Sequence, residues 1–192
     1  MSWFAGFILK LFGWKIEADD ISHIRKAVIT MAPHTSYWDF PIGRLALMAR
    51  RISIKTMIKK ESFYFPLGPI LRWLGGIPVD RANSQRTLKS ITDEFKKSED
   101  FILLITPEGT RKLNKRWKKG FYFIAETANV PIILGFLDYS KKIAGLGPVI
   151  YPSGDYDEDL RKIQAFYAEK VAKHPAQFNL SAMYRTGETT AD

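Results

Sequence analysis

The run Phe101–Thr106 (FILLIT) carries apolar side chains at odd and even positions alike before it reaches its terminal threonine. A strand with one face in water alternates, so a run without alternation calls for a strand buried on both faces, as in a parallel sheet covered by helices. Pro131–Leu137 makes the same demand, and Val28–Met31 is a shorter run rich in β-branched residues. Between these runs the periodicity changes to three and four. Helices are expected over Phe40–Arg50, over Phe65–Trp73 with a stop at Gly75-Gly76, over Gln85–Lys97 through Leu88, Ile91 and Phe95, near Phe121–Ala128, and over Asp157–Lys173. Ile52–Ile58, Ile77–Val79 and Val149–Tyr151 read as further strands, the last paired with its predecessor across a Gly145–Gly147 turn. Strands alternating with helices predict an α/β fold, a mostly parallel central sheet flanked by helices. Ligand-binding residues of such folds collect on loops at the carboxyl ends of the strands.

A chain of 192 residues that is 46% hydrophobic is long enough for one compact core and excludes disorder, collagen and coiled coil. The absence of cysteine removes a disulfide framework, a thiolate nucleophile and a thiolate-bound metal, and it permits a cytoplasmic setting. The net charge is +9, and five basic against seven acidic residues beyond position 150 leave the excess in the first 150. A body so basic suits a polyanionic partner: phosphate-bearing small molecules, an anionic membrane surface, or nucleic acid. No RNP-type or zinc-finger signature accompanies the charge, so no nucleic acid partner is expected.

Residues 2–14 (SWFAGFILKLFGW) are apolar around most of a helix. Such a helix is about 18 Å long, against about 30 Å of hydrocarbon core, and lacks the flanks of a secretory signal. Core burial and a place in the membrane interface are the two readings. The terminal position and the two tryptophans favour the interface, with Trp3 and Trp14 near headgroup level. The chain thus divides into an apolar interfacial helix (1–15), a main domain (16–184) and a polar, frayed tail (185–192).

Three loops at expected strand ends carry chemistry. In HTSYWD, His34 and Asp39 stand five residues apart at a loop-to-helix junction. Across a turn they meet, and a carboxylate on one ring nitrogen leaves the other as a base near neutral pH; the plainer reading is a loop histidine held by a nearby aspartate. GGIPVDR and PEGTR each end in an arginine, Arg81 and Arg111, whose guanidinium groups suit phosphate as well as surface ion pairs. Ser36 is too near His34 in one loop for an easy Ser–His bond, and no G-x-S-x-G elbow is present. His23 and His174 lie apart in polar contexts, so no metal site is expected. Arg111–Lys119 holds six basic residues in nine and Arg50–Lys60 five in eleven, suited to a solvated face or to anionic headgroups and donor phosphates. Phe63, Tyr64, Phe65 and Leu67 read as core, with an acyl groove as the alternative.

The ordered set HTSYWD, GGIPVDR, PEGTR and VPIIL, over roughly residues 28 to 137, resembles the glycerolipid acyltransferases. Trp117-Lys118-Lys119-Gly120 resembles that family's Phe-Lys-x-Gly stretch, while Pro33, Thr106 and Leu134 depart from its common pattern. The resemblance implies transfer of a fatty acyl group from acyl-CoA or acyl-acyl carrier protein to the hydroxyl of lysophosphatidic acid or a related lysolipid, with no cofactor. It implies that His34 is the base, that Asp39 orients it, and that Arg81 and Arg111 hold the acceptor phosphate. Glu108, Gly109 and Thr110 would belong to the acceptor pocket. It implies a peripheral enzyme at the inner face of the cell membrane, against which a non-catalytic anionic-lipid-binding protein and a nucleic-acid-binding protein are the rivals.

Overall fold

The computed structural model describes residues 2–79 and 84–180. Asp80 and Arg81, and the tail 185–192, lie outside the described residues. The helices are α1 (Ser2–Leu11), α2 (Asp39–Ala49), α3 (Leu67–Trp73), α4 (Ser84–Lys97), α5 (Gly120–Ala128) and α6 (Tyr156–Ala168). The strands are β1 (Lys15–Ala18), β2 (Lys26–Ala32), β3 (Lys55–Lys59), β4 (Gly76–Val79), β5 (Phe101–Ile105), β6 (Ile132–Asp138) and β7 (Ile143–Ile150).

The strands form one sheet in the order β1-β7-β6-β2-β5-β3-β4. Only the β6–β7 ladder is antiparallel among them. The non-alternating runs sit where burial on both faces is greatest, with β2 between β6 and β5. Along β6, Ile132, Leu134 and Phe136 enter one core, while Ile133 and Leu137 enter the other. The first core lies under α4, α5 and α6 through Ile91, Phe95, Phe121, Ile124, Ile163 and Tyr167. The second lies under α1 and α2 through Leu9, Ala46 and Leu47.

The main strands and helices fall where the periodicity placed them, and five expectations are corrected. The β6–β7 turn lies at residues 139–142, where Asp138 accepts from the Ser140 and Lys141 amides. Gly145 and Gly147 lie inside β7. A Cβ on Gly145 would run into the Glu17 carbonyl and the Phe136 ring, and one on Gly147 into Phe166, so these glycines serve close packing rather than a turn. Trp14 is a core residue, edge-on to Tyr139 at 5.1 Å between ring centroids, and not a headgroup anchor. Tyr64, Phe65 and Leu67 are exposed, Phe65 at 87%, and neither they nor Phe63 line either of the two cavities described below. Helix α6 ends at Ala168, short of the expected Lys173, and β3 begins at Lys55 rather than Ile52. Strand β1 is too short and polar for its period to show.

Helix α1 has two apolar sides. Ala5 and Leu9, four apart, are buried, and Gly6 faces Ala49 of α2. Trp3, Phe4, Phe7 and Leu11 form the opposite stripe, all exposed, with Trp3 at 80%.

Candidate active site

Because β2, β3, β4, β5 and β6 run parallel, their carboxyl ends share one edge of the sheet. The loop after β2 carries His34, the loop after β5 carries Glu108 to Arg111, and the first residue after β6 is Tyr139. Asp80 and Arg81, which follow β4 in the sequence, lie outside the described residues. Extended strands thus bring together positions more than a hundred residues apart in the chain.

Asp39 opens α2 and is buried. Its Oδ2 accepts from the backbone N–H groups of Thr35 and Ser36 at 2.8 Å each, and lies 3.1 Å from His34 Nδ1. Its Oδ1 accepts from the Tyr139 hydroxyl at 2.6 Å. Burial by itself would raise the carboxyl pKa, but the bonds from His34, Tyr139 and Ser36 outweigh it and hold the group below its ordinary range. A carboxylate so held requires the imidazole proton on Nδ1, leaving Nε2 as the basic nitrogen. Tyr139 is driven the other way, its pKa raised by burial and by the Asp39 charge.

Glu108 lies beneath the His34 loop rather than on the cleft wall. It is buried, and its Oε1 accepts the His34 backbone N–H at 2.9 Å. Burial pushes its pKa up to about 7, against the partly offsetting effect of its own amide and that of His34. Gly109 takes a left-handed φ of +66°, and a Cβ there would collide with the Lys118 side chain. Arg111 stacks on Tyr37, its guanidinium carbon 3.5 Å from the ring centroid.

These loops surround a cleft of about 790 Å³, lined by His34, Thr35, Ser36, Asp39, Gly109, Thr110 and Arg111 among others. Arg44, Lys59 and Lys112 also line it, whereas Asp39 is its sole carboxylate among the described residues. The return segment after α6 closes one wall. The His174 backbone N–H donates to Thr35 Oγ1 at 3.2 Å, and the Gln177 amide, oriented to suit its neighbours, donates to the carbonyls of Thr35 and Arg111 at 3.1 and 2.8 Å. A second cavity of about 500 Å³ between the sheet, α4 and α5 shares Thr56, Met57, Leu104, Thr106 and Gly109 with the first. Among the described residues no three His, Asp or Glu side chains are grouped to hold a metal ion.

His34, Asp39, Gly109, Thr110 and Arg111 are therefore gathered at one cleft, and Glu108 supports it from below. Sequence reasoning missed Tyr139, Arg44, His174 and Gln177. For Tyr139 the signal was its place at the end of a buried strand; for the other three no sequence pattern carried one.

A family model described as Acyltransferase matches residues 15–133, from β1 into β6. The 1-acyl-sn-glycerol-3-phosphate acyltransferase of Limnanthes alba is 28% identical over 141 residues, which is 67% of this chain and 47% of that protein. The chain spans about half the length of this curated relative. The crystal structure of the 1-acyl-sn-glycerophosphate (LPA) acyltransferase PlsC from Thermotoga maritima matches with a TM-score of 0.59 at 17% identity. That match covers 89% of this chain and 80% of the other and describes a shared fold.

Proposed function

Since this chain belongs to the acyltransferase family, we propose that it transfers a fatty acyl group from a thioester, acyl-CoA or acyl-acyl carrier protein, to the free hydroxyl of lysophosphatidic acid or a related lysolipid. The observation that carries this reading is the His34–Asp39 pair, set in an otherwise cationic cleft. The name of the Limnanthes alba relative supports the choice of acceptor.

His34 Nε2 takes the proton of the acceptor hydroxyl while its oxygen attacks the thioester carbonyl carbon. The carbonyl π electrons move onto oxygen, then return as the C–S bond breaks, and the sulfur leaves with the proton from His34. Asp39 holds the ring in the reactive tautomer and offsets the imidazolium charge. The ester forms without an acyl-enzyme, a metal or a cofactor. Arg111, together with Arg81, which follows β4 in the sequence, binds the acceptor phosphate as a bidentate fork. The second cavity, walled by Val79, Leu88, Ile105, Phe121 and Ile124, suits the acyl chain. Among the described residues no helix is long and apolar enough to cross a membrane. Contact with lipid therefore falls to the outer stripe of α1 and the basic runs, at the inner face of the cell membrane.

The test is incubation of the purified protein with long-chain acyl-CoA, and separately with acyl-acyl carrier protein, plus lysophosphatidate. Thiol release and phosphatidate are followed for the wild type and His34→Ala. Transfer by the wild type that falls at least about a hundredfold in the variant is expected. A folded variant that retains turnover would overturn the mechanism, and no transfer from either donor would favour a lipid-binding protein.

A further inference from the structure

Arg44 lines the cleft from α2, five residues beyond Asp39 and so about 7.5 Å further along the helix axis. Asp39, Phe40, Gly43 and Arg44 all face the cleft, which makes it a continuous stripe of that helix. The Nε and Nη1 atoms of Arg44 are shut off from solvent, yet neither has a hydrogen-bond partner among the described residues. The cleft does not supply a counter-ion, because both oxygens of its single described carboxylate, Asp39, are engaged by His34, Thr35, Ser36 and Tyr139. Across from α2, Thr56 of β3 lines the same cleft, and its buried Oγ1 also lacks a partner.

Native structures seldom leave buried donors unmatched, and guanidinium nitrogens shut off from solvent are costly without a partner. We infer that Arg44 and Thr56 form an anion-binding subsite of the cleft, which takes a phosphate group of a substrate through the Arg44 guanidinium and the Thr56 hydroxyl. Arg111 lines the same cleft from the loop after β5, where it is stacked on Tyr37. The inference rests on the proposed acyl transfer for the identity of the ligand, since both substrates of that reaction carry phosphate. Burial lowers the Arg44 pKa, consistent with a cation that has no partner until a ligand arrives.

The experiment compares wild type, Arg44→Met, Arg44→Lys and Thr56→Val. Calorimetry measures binding of lysophosphatidate and, separately, of a non-reactive thioether analogue of acyl-CoA; the KM for each substrate is measured alongside. Loss of a charge-assisted bond predicts about tenfold to hundredfold weaker binding of one ligand in Arg44→Met, with a smaller loss in Arg44→Lys and Thr56→Val. Weakening confined to lysophosphatidate assigns the subsite to the acceptor, and weakening confined to the analogue assigns it to the donor. Unchanged affinity for both in a folded Arg44→Met overturns the subsite, as does a fall in kcat alone. Binding is read without turnover, so a wild type that transfers no acyl group refutes the reaction while the affinities still decide the subsite. A wild type that binds neither ligand refutes both.

Discussion

At the scale of single residues, the site is governed by how two buried carboxylates are treated. Asp39 has four donors and is held ionised; Glu108 has the His34 amide on one oxygen and no partner on the other. The consequence for stability follows from burial, which raises the folded pKa of Glu108 to about 7 from an ordinary 4.5. Below pH 4.5 both folded and unfolded chains carry the proton. Between 4.5 and 7 the unfolded chain loses it first, so stability falls as pH rises through that window, by on the order of 3 kcal/mol at completion. Glu108→Gln keeps an oxygen for the His34 amide and cannot ionise. Urea unfolding at pH 4, 6 and 8 is expected to show the wild type losing stability relative to the variant as pH rises; a constant difference would show that Glu108 does not hold a raised pKa.

At the scale of elements, each strand and helix was readable where burial imposes a period. FILLIT and PIILGFL announced two-faced strands, and they occupy neighbouring places around β2. The loop residues at their ends were legible because the strand ends told where to look, which is how His34, Asp39 and Arg111 came to be singled out. Tyr139 showed its strand end but not its partner, which depends on which strand lies beside which, and His174 and Gln177 were not legible, since their roles depend on where the chain after α6 returns. The N-terminal helix was half legible: its apolarity was plain, but not that one side packs on α2 while Trp14 leaves the helix to enter the core. That division predicts opposite outcomes for two tryptophans. Trp14→Ala should destabilise the protein by about 3 to 5 kcal/mol through loss of a packed side chain, whereas Trp3→Ala, at an exposed position, should change stability by less than about 0.5 kcal/mol. Thermal or urea unfolding of the two variants checks both.

At the scale of the whole molecule, the exposed apolar residues and the basic runs bear on where the protein works. Trp3, Phe4, Phe7 and Leu11 project from one stripe of α1. That helix runs antiparallel to α2, with Ser2 near Arg51 at one end and Trp14 against Tyr139 at the other. Its final turn therefore approaches the loop that holds Asp39. Tyr64, Phe65, Ile70 and Trp73 form a second exposed group around α3. Sedimentation with vesicles should show binding to phosphatidylglycerol-containing membranes that weakens between 0.05 and 0.5 M salt, since the Debye length shrinks from roughly 14 to 4 Å. Trp3→Ser combined with Phe7→Ser should reduce binding at both salt concentrations with stability unchanged. Equal binding to neutral and anionic vesicles would rule out the basic runs as the attraction.

The hold of His174 and Gln177 on Thr35 and Arg111 has a consequence for biosynthesis. The imidazole of position 34 leaves the ribosome early, but the wall beside it is made from residues near 177, almost the last of the described chain. A nascent chain can add the Tyr139 bond to Asp39 only after β6 has been made, and it completes the cleft wall later still. The cleft is therefore finished only when the segment after α6 has been made and has folded back onto the loop after β2, well after α1, β2 and α2 have emerged.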